Sequence, residues 1–190
     1  MITEAGARIA RLEQALREAL PEWSLAPMVH ALQALRGVQL IAAMTLVGEL
    51  QDFLRFESPR ELMAYVGLVP GERSSGPKRR QGSITKAGNS AARRMLVEVA
   101  WHYQHSARVS PIIARRHDGL PRTVTDIAWK AQTRLNTKFK RLSARRIMKT
   151  KVVVAVAREL AGFVWAIGRE VQTSGWRDTT PAAAEAAAAG

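Results

Sequence analysis

Apolar residues recur at helical spacing along most of the chain, and the pattern breaks in one conspicuous place. AGARIARLEQALREAL sets Ala5, Ile9, Leu12, Leu16 and Ala19 on one stripe with charges elsewhere, a seam about two heptads long that ends at Pro21. Two readings stay open for it: the end of a coiled coil or partner-docking helix, or a surface helix packed on its own domain. A second helical stretch follows PEWSLAP, and Gly37 separates it from a third led by Ile41, Met44 and Leu46. Helix, glycine turn and helix suit a helix-hairpin-helix that offers backbone N–H groups to a phosphate. The second glycine of that arrangement is replaced by Gln39, so plain helix-turn-helix core packing is an equal alternative.

In RFESPRELMAYVGLVP, Ser58 stands at the N-cap position, Pro59 at the first helical position and Glu61 in capping-box spacing, and Gly67 ends the helix. SAARRMLVEVAWHYQ reads as a helix with Met95, Leu96, Val99 and Tyr103 on its apolar face. A polar connector with Pro111, Gly119 and Pro121 leads to two more helices, TDIAWKAQTRLNTKFKRL and SARRIMKTKVVVAVARELAGFVWAIGREV. Trp101, Trp129 and Trp165 lie in these apolar runs and are expected in the core. No β pattern and no internal repeat is visible. The pattern predicts an all-α fold, a compact helical domain with a helix-hairpin-helix-like element, a Gly/Ser/basic loop and an N-terminal helix that ends a coiled coil. The expected division is 1–29 for the linker helix, 30–104 for a core with a catalytic loop at 70–90, 105–175 for basic C-terminal helices, and 176–190 for a disordered Ala-rich tail.

Charge narrows the function. Over 190 residues Lys and Arg outnumber Asp and Glu by 29 to 16, a net charge of +13, which calls for a polyanionic partner. Cysteine is absent, excluding disulfide frameworks and thiolate chemistry. Glu4, Arg8, Arg11 and Glu13 interrupt any signal-peptide core, and the apolar window Val152–Ile167 carries Arg158 and Glu159 and is too short to span a bilayer. A cytoplasmic, nucleoid-associated protein with no membrane partner is expected.

The break in the pattern is GERSSGPKRRQGSITKAGNSAARR, Gly71 to Arg94. It is either a solvated linker or a loop that holds phosphate. From Arg73 to Arg94 it carries seven cations (Arg73, Lys78, Arg79, Arg80, Lys86, Arg93, Arg94) and no acid. Glycines permit close backbone approach, serines supply hydroxyls, and Asn89 or Ser90 caps the helix that follows, directing its positive end to the same region. A second basic field runs from Arg108 to Lys151, opposed only by Asp118 and Asp126. His102 and His105 stand three apart without a third ligand, and carboxylates are too scattered for a two-metal nuclease site. No metal site and no cofactor is expected within this chain.

From Leu32 to Trp101 the order LRGV, TLV, RF-SP, LMAY-GLVP, SSG and ITKAGN resembles the transposase domain of the IS-one-ten family of insertion-sequence transposases, and KVVVAVARELAGFVWAI is similar to that family's closing helix. The resemblance covers most of residues 30–170. It implies a recombinase guided by a bridge RNA, with an N-terminal RuvC-like domain that binds Mg2+ through acidic residues, a coiled-coil connector that supports homo-oligomers, and this domain. The sequence matches the second part and the end of the connector, so this chain is expected to be incomplete alone. The resemblance further implies a serine nucleophile in the SSG motif, Ser75 with Ser74 as the alternative. Arg73, Lys78, Arg79, Arg80, Lys86, Asn89, Arg93 and Arg94 are the expected nucleic-acid contacts. The alternative is a basic helical module that binds DNA or RNA without chemistry.

Overall fold

The computed structural model describes residues 2–73 and 80–177, with side-chain surroundings for all of these except residues 2, 3, 72, 73, 80 and 81. Among them are eight α-helices, one 3-10 turn and one two-stranded sheet, in the order α1 (Ile2–Ala19), α2 (Ala26–Leu32), α3 (Leu40–Leu50), α4 (Pro59–Tyr65), β1 (Pro70–Arg73), β2 (Arg80–Ile84), α5 (Ser90–Ala100), a 3-10 turn (Trp101–Gln104), α6 (Pro111–His117), α7 (Arg122–Ala144) and α8 (Lys149–Ser174).

The centre is α8. Val152, Val153, Val156, Ala157, Leu160, Ala161, Val164, Ile167, Gly168 and Val171 are buried along it, and at 100° per residue they cover roughly half the helix circumference. A helix buried that broadly needs neighbours on several sides, and α2, α4, α5 and α7 all pack on it. Gly168 is small for a reason: a Cβ there would collide with the Phe53 ring. Phe53 is held from the same helix, its N–H donating to Gln172 Oε1 at 2.8 Å.

The glycine turn between α2 and α3 is a packing device. Gly37 has φ +82, and a Cβ on it would press into the ring of His102 in the 3-10 turn. Gln39 begins α3 in an extended conformation without a side-chain cap. The turn packs against the 3-10 turn, as the core-packing reading expected. Ser58 begins α4 likewise without a side-chain cap; Glu61 Oε2 accepts instead from the N–H of Glu57, at 2.9 Å.

Several expectations need correction. The Gly71–Arg94 segment includes an antiparallel hairpin where no strand was expected, with Pro70 opposite Ile84, Glu72 opposite Gln81 and Arg73 opposite Arg80. Its strands, PGER and RQGSI, are short and carry a single large aliphatic residue, Ile84, so they lack the alternation that marks a half-buried strand. The connector after Tyr103 includes α6, whose N-cap Ser110 accepts from the N–H of Ile113. Trp101 and Trp129 are 37% and 44% exposed, not core: at Trp101 α5 gives way to a 3-10 turn, and Trp129 falls just outside the stripe of α7 that buries Val124, Ala128, Ala131 and Leu135. Trp165 is packed against the core, its Nε1 donating to the Phe56 carbonyl at 3.0 Å. The last helix begins at Lys149 rather than Ser143, after a turn in which Arg146 has φ +55.

Ile9 and Leu12 of α1 are each 57% exposed, while Leu20 just after it is buried. From Glu4 to Ala19 every residue of α1 is exposed except the half-buried Glu13, so its apolar stripe is left uncovered by its own chain.

Candidate active site

The hairpin grows from a platform built by two sequence segments 20 residues apart. Working outward from α4, the N–H of Asn89 donates to Tyr65 O at 3.0 Å, that of Lys86 to Gly67 O at 3.1 Å, and that of Thr85 to Val69 O at 2.9 Å. Pro70 and Ile84 then continue the pairing as β1 and β2. The strings YVGLVP and ITKAGN are thus zipped backbone to backbone. Two glycines make the zip possible: Gly67 has φ +68 and any Cβ on it would run into the Ala87 carbonyl oxygen, and Gly88 has φ +95 with the Tyr65 carbonyl oxygen in the same position. Only a residue without a side chain fits either place.

Asn89 fixes the start of α5. Its Oδ1 accepts from the N–H of Ala92 at 2.9 Å, and its Nδ2 donates to Glu49 Oε2 at the end of α3, at 2.6 Å. Arg93, one turn on, donates through Nη1 to the Val66 carbonyl at 3.0 Å, which ties α5 to the end of α4. Two of the expected nucleic-acid contacts thus also brace the platform. The other two described ones point to solvent: Arg94 is exposed and paired with Glu98 at 2.8 Å, and Lys86 is exposed with φ +56. A lysine in the left-handed region costs about 1 kcal/mol relative to an ordinary conformation, and such strain gathers at functional positions. Ser74, Ser75, Lys78 and Arg79 lie outside the described residues, as do the side chains of Arg73 and Arg80.

One neighbouring cation escaped sequence reading. The Arg55 guanidinium lies 4.6 Å from the ring centroids of both Phe56 and Tyr65, whose rings are themselves 5.3 Å apart. Stacking restrains an exposed arginine on the α4 residue whose carbonyl receives Asn89. The RF pair in the sequence was the available signal, but its aromatic partner Tyr65 is ten residues further on.

The sequence model of the Transposase IS116/IS110/IS902 family matches residues 29–117, which span α2 to α6 and the whole platform. Residues 29–117, just under half of the chain, match the transposase domain of that family. Similarity extends beyond the domain. Over 161 residues, 85% of this chain, it is 53% identical to y4qE of Sinorhizobium fredii, which carries a transposase name. Over 135 residues it is 31% identical to the transposase for insertion sequence element IS1111A of Coxiella burnetii, and over 119 residues 30% identical to that for IS1533 of Leptospira borgpetersenii. The matched regions span 41%, 31% and 34% of those relatives, so the chain corresponds to well under half of each. Among the described residues no group of three or more His, Asp or Glu could hold a metal ion. No helix among them is long and apolar enough to cross a membrane.

Proposed function

We propose that this chain supplies the serine nucleophile of a DNA recombinase encoded by an insertion sequence, with Ser75 as the attacking residue. The observation that carries the reading is the zipped platform: the family's GLVP and ITKAGN strings pair with each other, and the SSG motif belongs to the segment that joins the two strands rising from them. In this reading Ser75 Oγ attacks a DNA phosphodiester. An Oγ–P bond forms, the P–O3′ bond breaks, and the departing 3′ oxygen takes up a proton as the serine hydroxyl gives one to solvent. Strand transfer is the reverse attack by a different 3′-hydroxyl. Arg73, Lys78, Arg79 and Arg80 oppose the charge on the phosphoryl oxygens, with Lys86 and Arg94 outside them, while Asn89 and Arg93 keep the base of the hairpin in place. Mg2+ and the guide RNA enter with a RuvC-like domain, which the described residues do not provide.

The exposed stripe of α1 supports a second element of the same reading, pairing with another copy of the chain. Ala5, Ile9, Leu12, Leu16 and Ala19 alternate spacings of four and three, the repeat of a coiled-coil seam. Sedimentation of wild type against Leu12→Lys tests it: wild type should be the heavier species, and equal masses would exclude the seam.

The catalytic test is a covalent trap. Donor DNA, a bridge RNA and a RuvC-like partner are incubated with the chain, and protein–DNA adducts are resolved under denaturing conditions. Ser75→Ala should abolish the adduct and Ser74→Ala retain it. The opposite result moves the nucleophile to Ser74, an adduct in both variants excludes either serine as the sole nucleophile, and no adduct even with wild type leaves a nucleic-acid-binding module without chemistry.

A further inference from the structure

The turn between α7 and α8 carries a charge arrangement that the hairpin site does not use. Lys130 to Lys151 holds nine cations and no acid, yet only part of this charge is answered within the fold. Glu159 of α8 takes Arg134 and Lys138. At the tip, Arg141, Arg145, Arg146 and Lys149 are exposed, and none has an acidic partner among the described residues. This turn lies beyond residues 29–117, the stretch that carries the transposase domain.

Helix electrostatics make the tip more unusual. Arg141 and Arg145 at the end of α7 sit where the helix dipole welcomes cations, but Lys149 and Lys151 occupy the first turn of α8, where it repels them. That 26-residue helix starts at Met148 without a side-chain cap and without an acid in its first turn, so no side chain answers its positive end. Both features are unfavourable in isolation, and one anion at the tip would satisfy both. Ile147 and Met148 stand at the apex, Met148 65% exposed, with cations on either side.

We infer that the α7–α8 tip is a second nucleic-acid surface, and that its ligand is duplex DNA. Cations and an uncapped helix start select phosphate. Between Lys130 and Lys151 the one aromatic, Phe139, is buried, so the tip has no platform on which unpaired bases could stack, which argues against a single strand. Exposed Ile and Met flanked by Arg and Lys suit the edge of a duplex groove, where short apolar side chains press between base steps while cations hold the two phosphate rows. The inference rests on the chain being part of a DNA-handling transposase, not on the identity of its nucleophile, and equilibrium binding needs no cleavage.

The test is binding of the full chain to a 30-base-pair DNA duplex at several salt concentrations, for wild type and for R141Q/R145Q/R146Q/K149Q. Removing one phosphate-binding cation should lower the log–log salt slope by about 0.9, so the variant should lose up to about 3.6 from its slope and at least tenfold in affinity at low salt. Exposed positions leave the fold intact, and an unchanged circular dichroism melt confirms that for each protein. A control with the same charge removed elsewhere, R8Q/R11Q/R17Q/R122Q, should keep the wild-type slope. I147S/M148S should weaken binding with the slope unchanged. The inference is overturned if the tip variant binds the duplex like wild type, if the control loses as much, or if the tip variant loses only single-stranded or RNA binding or only binding to anionic vesicles.

Discussion

Arg93 Nη1 donates to the carbonyl oxygen of Val66 at 3.0 Å, joining the first turn of α5 to the last of α4. Arg94, the next residue, points to solvent and pairs only with Glu98 on its own helix. The two arginines therefore separate by experiment. Arg93→Ala should lower unfolding free energy by about 1–2 kcal/mol, the cost of removing a charged donor from a half-buried carbonyl, whereas Arg94→Ala should change it by less than about 0.5 kcal/mol. Urea unfolding of both variants checks this, and equal effects would mean that the bond to Val66 contributes nothing.

Gly67→Ala and Gly88→Ala should each destabilise by about 3 kcal/mol or more, because a Cβ meets a carbonyl oxygen at a positive φ in both cases. The measurement is the shift in thermal midpoint, with Gly6→Ala as the reference, since a Cβ there meets nothing within 4 Å. A Gly67 or Gly88 variant as stable as the reference would rule out the zipped platform.

Lys86 behaves in the opposite sense. Its left-handed φ means that Lys86→Gly should be neutral or stabilising by up to about 1 kcal/mol, while DNA binding should weaken and lose about 0.9 from its salt slope. Retained binding together with higher stability would assign the strain no role in binding.

How far sequence reached can be judged from these same residues. The Asn89 cap was legible because its partner is three residues away, and the buried character of α8 was legible because its apolar run is long. The bond from Arg93 to Val66 was not, since it joins residues 27 apart and nothing local distinguishes Arg93 from Arg94. The hairpin was hidden because its strands are short and carry Ile84 as their single large aliphatic residue, and its register comes from backbone pairing around two glycines. The candidate nucleophile was legible only through resemblance: composition alone favoured a linker for Gly71–Arg94.

His102 gives the fold a pH dependence. Burial, then the charge of Arg36, then that of His105 hold its imidazole below the usual value of 6.5. The folded state binds this proton less readily than the unfolded chain, so stability rises with pH and is lost as pH falls below about 6.5. The urea midpoint should be lower at pH 5.5 than at 7.5, and His102→Asn should flatten that difference. An unaltered pH profile in the variant would place the effect elsewhere.

Glu159 adds a second pH dependence at lower pH. Burial pushes its carboxyl up, but hydrogen bonds from Arg134 and Lys138 and their charges outweigh that and hold it below 4.5. Its contribution is present above that value and fades as pH falls further. Glu159→Gln should cost about 1 kcal/mol at pH 7, and the difference should shrink as pH is taken progressively below 4.5, as read from paired unfolding curves across that range.

The position of α8 has a consequence for how the chain is made. It is the last of the described helices and the post on which α2, α4, α5 and α7 rest, so during synthesis the earlier helices emerge with their apolar faces uncovered. A ribosome must add 64 residues after Gln104, the end of the 3-10 turn, before Phe53 can meet Gly168 and the core can close. Until then the nascent chain presents a basic, partly apolar surface, at the stage when growing chains are most exposed to aggregation and to capture by nearby polyanions.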